Sequence, residues 1–470
     1  MKPWVKSALI VLAVLVVLGG AGLWWITRPD IARYSEGDVT GRVPQLSETR
    51  SQTVPTVRVA EATGWANGAK PTAAAGLQVA AFAEKLDHPR SLYRLPNGDV
   101  LVAEANSPPR EGGGITGWVM GRMMKKAGAG LPSPNRITLL RDTNGDGVAD
   151  QRTMLLSAEQ GLNSPTGIAL IGEWLYVANT DALVRYPFKP GDTKITAKPE
   201  KIFDLAGGGN HWARNIIAAA DGKSIFVAVG SASNIGENGL EAEGPALYAT
   251  NGRPSEMRKL GGPTRGARAA ILEIWPDTKG ARVYAWGLRN PNQMALEPNS
   301  GALWTVVNER DMLGSDMPPD YMTQVDLGAF YGWPWNYWGG YEDKRVSPGR
   351  PDLRQYTKRP DFALGAHTAP LGIAFASDAK LGGNYGKGAF VSLHGSWNRE
   401  PPSGYKLVFV PFGDNGFPLP DAKPVDVLTG FLGKDGKTAQ GRPVGVITDA
   451  TGAILVADDV GNTIWRVSAR

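Results

Sequence analysis

The apolar pattern of this chain repeats as a phrase. Each copy has a small or Pro-led turn, an apolar pair, a Gly, Asn or Asp turn, and then an apolar strand. Six copies occur: HPRSLYRLPNGDVLVAEA from His88, SPTGIALIGEWLYVANT from Ser164, HWARNIIAAADGKSIFVAVG from His211, NPNQMALEPNSGALWTVVNE from Asn290, TAPLGIAFASD from Thr368 continuing to GAFVSLHG, and RPVGVITDATGAILVADD from Arg442. A unit of this kind cannot bury its own apolar face and must stack on its neighbours, so the self-similarity predicts a repeat architecture. Short strands, Gly-rich turns and few helical runs predict an all-β fold, a six-bladed β-propeller with one blade per copy. Such a ring gathers loops from every blade at one central mouth, where residues distant in sequence form one site.

A different pattern precedes the repeats. Ala8 to Ile26 is 19 residues without a charge; as a helix it spans roughly 28 Å, about a bilayer core. Lys2 and Lys6 precede it, and Trp24 and Trp25 lie near its end. This predicts a transmembrane helix with a cytoplasmic N-terminus and an interfacial aromatic pair. No Ala-x-Ala-like site closes the run, so it reads as an inner-membrane anchor carrying the propeller in the periplasm. A cleaved signal and a free periplasmic propeller is the alternative. Residues 1–30 are then anchor or signal, 31–75 a linker or lead-in, and 76–470 the propeller.

Composition narrows the chemistry. The 470 residues include 60 Gly, 35 Pro and 15 Trp, with 42% hydrophobic residues, which describes a packed, turn-rich β protein. The formal charge is +5, and no dense Lys/Arg block with interleaved aromatics occurs, so nucleic acid is not an expected partner. Cysteine is absent. That excludes disulfides, thiolate zinc sites, c-type haem attachment and iron–sulfur clusters. A redox role would therefore need a bound organic cofactor and a separate electron partner.

Histidine is scarce: His88, His211, His367 and His394 are all there are. His88 reads as a satisfied polar group. His211 lies in GGGNHWARN, after glycines that let a backbone approach something closely, and a neutral imidazole in a cleft is the commonest general base near neutral pH. Arg289 and Asn290 occupy the corresponding turn of the fourth repeat, as anion-facing groups or as a salt-bridged cap between blades. Arg289, Arg399 and Arg442, at blade-start loops, read either as convergent on one polycarboxylate, which guanidinium binds bidentately, or as scattered rim residues. Asp142, Asn144, Asp146 and Asp150 have the spacing of a calcium loop but lack the closing Glu; a second calcium site and a plain hairpin turn are both open. WVMGRMMKKAGAG from Trp118 reads as a surface loop, or as an amphipathic piece on the membrane or the propeller.

In this order the motifs resemble the glucose/sorbosone dehydrogenase family of quinoproteins, most closely its membrane-linked L-sorbosone dehydrogenase-like branch. The resemblance covers residues 75 to 470. It rests on LDHPRSL with Ala103-Glu104, NHWARN followed by DGKSIFVAVG, GLRNPNQ, YGWPWNYWGG, HTAP, HGSWNR and GRPVGV. It implies pyrroloquinoline quinone (PQQ) held over the propeller mouth, a calcium ion (Ca2+) on its quinone edge, and oxidation of an aldose-type sugar or aldehyde. It implies that His211 is the catalytic base, Arg289 the arginine near the reactive carbonyl and Asn290 a neighbouring cofactor contact. Thr368 matches a cofactor-binding hydroxyl and Arg442 an arginine on the cofactor's carboxylates. Asp311 and Met312, in NERDML, fall at the calcium ligands. The chain departs from the soluble glucose dehydrogenases at three places. Asp311-Met312 replaces a Gly-Pro pair, His394 stands at a cofactor-binding lysine, and the acid that accompanies the base is replaced around Ser231, with Asn234 nearby.

The implied reaction is hydride transfer from a hemiacetal or aldehyde hydrate, giving a lactone or acid, with electrons passing to membrane ubiquinone or a cytochrome. The rivals are a calcium-dependent propeller lactonase built on Glu104, Asn179 and Asp458, and a non-enzymatic binding propeller.

Overall fold

The computed structural model describes residues 3–52, 56–109, 121–240 and 266–470. The six phrases supply the first two strands of six antiparallel sheets, blades one to six, at residues 89–156, 167–204, 216–286, 291–366, 370–429 and 443–469. The six-bladed propeller expected from the repeats is the observed fold.

The second strand of a blade lies between its neighbours, which is why a continuous apolar run fits there better than alternation. Val100–Glu104, Ile225–Val229, Leu303–Val307 and Ile454–Asp458 are buried at every position. The fourth strands Gln151–Leu156 and Val425–Thr429 expose their leading residues instead. The innermost strands carry glycine for a packing reason. A Cβ on Gly167 would lie 2.5 Å from the Arg214 carbonyl oxygen of the next blade, and one on Gly445 would lie 2.7 Å from that of Arg90. Backbones meet there without room for a side chain, so TGIAL, LGIAF and VGVIT repeat the glycine.

The ring is closed by the N-terminal side of the chain. Leu77–Ala83 forms the outer strand of blade six, paired with Thr463–Ala469 from Leu77↔Ala469 to Ala83↔Ile464. The lead-in is also fastened to the ring. Thr40–Gly41 adds a fifth strand to blade four and Thr72–Ala73 a fifth strand to blade five. Trp65 packs edge-on against Phe431 and Trp465, and its indole donates to Asp458 at 2.7 Å.

Helix α1 (Pro3–Thr27) precedes all of this. Its segment Pro3–Trp25 has mean hydropathy 2.4 and is long and apolar enough to cross a membrane. Strand polarity places the loops that precede each first strand, and those between second and third strands, at one end of the ring. That end is the mouth.

Candidate functional site

A cavity of about 390 Å3 opens at the mouth, lined among others by His88, Arg90, His211, Arg289, Asp311, Met312, His394, Arg442 and Asp459. This is a size ordinary for small-molecule sites. Five blades contribute these residues.

His211 precedes the first strand of blade three. Its Nδ1 lies 2.9 Å from the Ser231 carbonyl oxygen and 3.0 Å from the Ser231 hydroxyl, which itself donates to the Ser233 carbonyl. A carbonyl only accepts, so Nδ1 carries the proton and Nε2 keeps a lone pair. Burial, then the neighbouring Arg289 guanidinium, holds this imidazole well below the ordinary histidine range. Gly230 makes the placement possible, because a Cβ there would sit 2.5 Å from the His211 Cβ and 2.6 Å from Asn290 Oδ1.

Arg289 is buried and held from several sides. It donates to the Asn234 carbonyl at 3.1 Å, to Asn234 Oδ1 at 2.9 Å and to the Glu309 carbonyl at 2.6 Å, and it pairs with Asp311 at 2.9 Å. Burial would raise the Asp311 carboxyl, but Arg289 and His367 outweigh it and keep it lowered. Asn290 lies beside His211 across Gly230, and its carbonyl accepts from Asn292 and from the Asn308 backbone.

On the opposite wall one carboxylate serves three groups. Asp459 pairs with Arg90, accepts from His394 Nε2 at 3.0 Å, and lies 3.6 Å from His88 Nε2. Burial acts to raise its pKa, yet His394, His88 and Arg90 hold it far below the carboxylate range. His394 is lowered by burial. It is therefore neutral near pH 7, with Nε2–H given to Asp459, and brings no charge like that of a lysine. Arg442 differs from the other cavity arginines. It donates to the Tyr405 hydroxyl at 3.0 Å and stacks over that ring at 4.9 Å. Among the described residues it has no carboxylate partner, and its buried Nε has no acceptor. The Nε of Arg90 is likewise without one.

Three of the expected cofactor residues, Asn290, Arg399 and Thr368, are not among the residues that line the cavity. Arg399 is buried beneath the mouth, where its guanidinium is used by the Pro401 and Tyr34 carbonyls and by Asp316 at 3.4 Å. The convergence of three arginines is therefore corrected to Arg90, Arg289 and Arg442. Thr368 is fully buried and turns its hydroxyl toward the Gly365 carbonyl, while the next residue, Ala369, lines the cavity.

The backbone carbonyls of Asp311 and Met312 are already occupied. Asp311 O accepts from Asn234 at 3.2 Å and Arg345 at 3.0 Å, and Met312 O accepts from Arg345 and from the Gln52 backbone, each at 3.1 Å. The Asp311 carboxylate is the oxygen group left facing the cavity. Asp142, Asn144, Asp146 and Asp150 lie at the opposite end of the ring, in the turn between the third and fourth strands of blade one. Their oxygens accept from backbone and side-chain donors of the same turn. Among the described residues no group of three or more His, Asp or Glu side chains gathers around a common metal position.

Arg90, Trp212, Trp397 and Asp459 line the cavity without having been singled out in the sequence. The signal for Arg90 was available: it stands two residues into a repeat opening, as Arg442 opens another. Of the Trp118 segment, Trp118 to Met120 lie outside the described residues. Residues 121–126 form a short helix, α2, and Met123 and Met124 roof the cavity.

The profile of the TrAA12-like family matches residues 135–324 and 352–470, more than half of the chain. The chain belongs to the TrAA12-like family. It is 26% identical over 320 residues to the aldose sugar dehydrogenase YliI of Escherichia coli, covering 66% of this chain and 76% of that protein. It is 35% identical over 235 residues to the pyrroloquinoline quinone-dependent pyranose dehydrogenase of Coprinopsis cinerea, covering 40% of this chain and 31% of that one. It spans 52% of a Borreliella burgdorferi relative, at 33% identity over 200 residues. A solved Trichoderma reesei structure of carbohydrate-active enzyme family AA12 superposes with TM-score 0.64 at 19% identity, covering 91% of this chain and all of that one. The shared architecture of this family is thus the propeller seen here.

Proposed function

We propose that this family member is a PQQ-dependent dehydrogenase of an aldose, sorbosone or related aldehyde sugar. The observation that carries the reading is the pairing, in one cavity, of an imidazole with an Nε2 lone pair and a buried guanidinium, Arg442, that lacks an anion among the described residues. A buried cation is stabilised only when something anionic faces it. A cofactor bearing carboxylates fits Arg442 and the Arg90 edge, and the names of relatives support the same chemistry.

When bound, PQQ supplies the two-electron acceptor that the twenty amino acids lack. The residues do the rest. His211 Nε2 takes the proton from the substrate hydroxyl while the adjacent carbon gives up its hydride, so a hemiacetal becomes a lactone and an aldehyde hydrate becomes an acid. Arg289, fixed by Asn234, Glu309 and Asp311, places positive charge beside His211, which stabilises negative charge developing there without reorganisation. Calcium, in this reading, is held through the Asp311 carboxylate rather than the two carbonyls taken by Arg345. Two electrons would then leave either to ubiquinone, which takes up two protons with them, or one at a time to a cytochrome, with the two protons released to water. The protein stays with the inner membrane through α1, its propeller in the periplasm.

The lactonase rival draws on residues that are spent elsewhere. Glu104 is fully buried against Arg136 and Thr138, Asn179 bonds Gly161 and Asn163, and Asp458 holds Trp65 and Trp465. The test is reconstitution: apo-protein with PQQ and calcium should gain a visible chromophore and reduce dyes with aldoses or sorbosone. Protein that binds no PQQ under these conditions refutes the proposal.

A further inference from the structure

The end of α1 is fastened to the mouth itself. Within three residues of Thr27, Asp30 accepts from the Ser315 backbone at 2.7 Å, donates its own N–H to Thr56 at 2.8 Å, and pairs with Arg50 at 3.2 Å. Ala32 donates to the Glu400 carbonyl at 2.8 Å and Arg33 to Asp316 at 2.6 Å. Ser315 and Asp316 belong to the loop that carries Asp311 and Met312, and Glu400 to the loop that carries His394. Three extended residues reach only about 10 Å, so whatever surface α1 emerges from lies against the mouth and not against the far end of the ring.

The same face carries groups suited to a lipid surface. Ile31, Val57 and Leu131 are 63%, 39% and 53% exposed. On α2, Met123 and Met124 turn to the cavity, while Arg122, Lys125 and Lys126 are exposed, Lys126 also lying 3.8 Å from the exposed Glu61 carboxylate. Spacings of three and four put those three cations on one face of the helix. A basic face beside an apolar residue such as Leu131 matches the headgroup zone of an anionic bilayer.

We infer that the propeller sits mouth-down on the bilayer that α1 crosses, with the basic face of α2 on anionic headgroups. The inference rests on the reading of α1 as a retained anchor. The cavity then opens at the membrane interface, where a lipid-soluble quinone meets it directly.

The absence of cysteine makes the test clean. Single-cysteine variants of the full chain, Leu15→Cys, Leu131→Cys, Lys223→Cys and Asn144→Cys, are labelled with a fluorophore. They are then reconstituted in phosphatidylcholine–phosphatidylglycerol vesicles carrying either acyl-chain or headgroup nitroxides. Leu15 reports on α1, Leu131 on the mouth, and Lys223 and Asn144 on turns at the opposite end. The expected result is strong acyl-chain quenching at residue 15, and headgroup quenching several-fold greater at 131 than at 223 or 144. Quenching at 15 with no difference between 131 and the two far turns overturns the orientation and leaves the anchor standing. No quenching at 15 overturns the anchor, and the orientation with it.

Discussion

His211 Nδ1 stands 2.9 Å from the carbonyl oxygen of Ser231. Because the partner is a backbone atom, the tautomer is set by the fold of blade three rather than by the Ser231 side chain. His211→Ala should keep PQQ binding and lose about two to four orders of magnitude in turnover, the usual worth of a positioned base. Ser231→Ala should lose far less, since the carbonyl remains. Steady-state dye reduction on both variants separates the two, and near-wild-type turnover in His211→Ala removes the assignment.

Gly230 should be nearly as intolerant as His211, although it touches no substrate. A Cβ there meets His211 Cβ at 2.5 Å and Asn290 Oδ1 at 2.6 Å, and neither atom is the end of a long flexible chain. Gly230→Ala should therefore displace the imidazole and cost about 10²-fold in turnover. Thermal unfolding measured alongside should show a folded protein, and unchanged kinetics would show that the loop yields.

Arg442 is expected to hold a cofactor carboxylate. Arg442→Ala should raise the PQQ concentration needed for half-maximal activity, while turnover at saturating PQQ changes less. Arg399→Ala makes the contrast, because that guanidinium is committed to Asp316 and the lead-in; it should lower stability and leave apparent PQQ affinity alone. Equal PQQ affinity in Arg442→Ala and the parent chain would reduce Arg442 to a rim residue.

These contrasts also mark what the sequence could carry. The blades were legible because second strands must be continuously apolar and inner strands repeat a glycine where backbones touch. His211, Arg289 and Arg442 were legible because a repeat fixes which loops reach the mouth. The direction of a side chain within a loop is not fixed by the repeat, so Arg399 and Thr368, in equivalent loops, turned out to face the interior. Asp459 was hidden inside a strand-end phrase, VADD, whose other acid binds Trp65 and Trp465. The strands Thr40–Gly41 and Thr72–Ala73 were illegible for another reason: two residues carry no periodicity, and their partners lie hundreds of residues away.

His88 should contribute a loss of stability in mild acid, while Asp320 and Asp458, raised by burial to about 7 and about 6, contribute in the opposite direction. Burial pushes His88 down to about 4, so the folded protein leaves it neutral where an unfolded chain, titrating near 6.5, takes up a proton. At His88 the unfolded state binds more protons between pH 6.5 and 4, so the contribution of this residue to the unfolding free energy drops as pH drops. His211 and His394 are shifted the same way. His88→Asn should flatten part of this slope, and its left-handed backbone, φ 55°, suits asparagine. Denaturant unfolding across this range reads the slope directly; an identical slope in the variant would place the acid sensitivity elsewhere.

Calcium gives the last expectation. Chelation should abolish dye reduction and added calcium restore it, with magnesium a poor substitute because its small octahedral shell suits such a site badly. The Asp311 carboxylate is the expected ligand, so Asp311→Ala should raise the calcium needed for recovery. Arg345 acts in the opposite direction. It donates to both the Asp311 and Met312 carbonyls and brings positive charge to them. Arg345→Met should therefore free one acceptor position on each carbonyl and lower the calcium concentration for half-recovery. Asp343 keeps a second cation in Arg310 at 3.5 Å, so the variant should still fold. Full activity in chelated protein shown by metal analysis to be calcium-free would leave Asp311 as the partner of Arg289 alone.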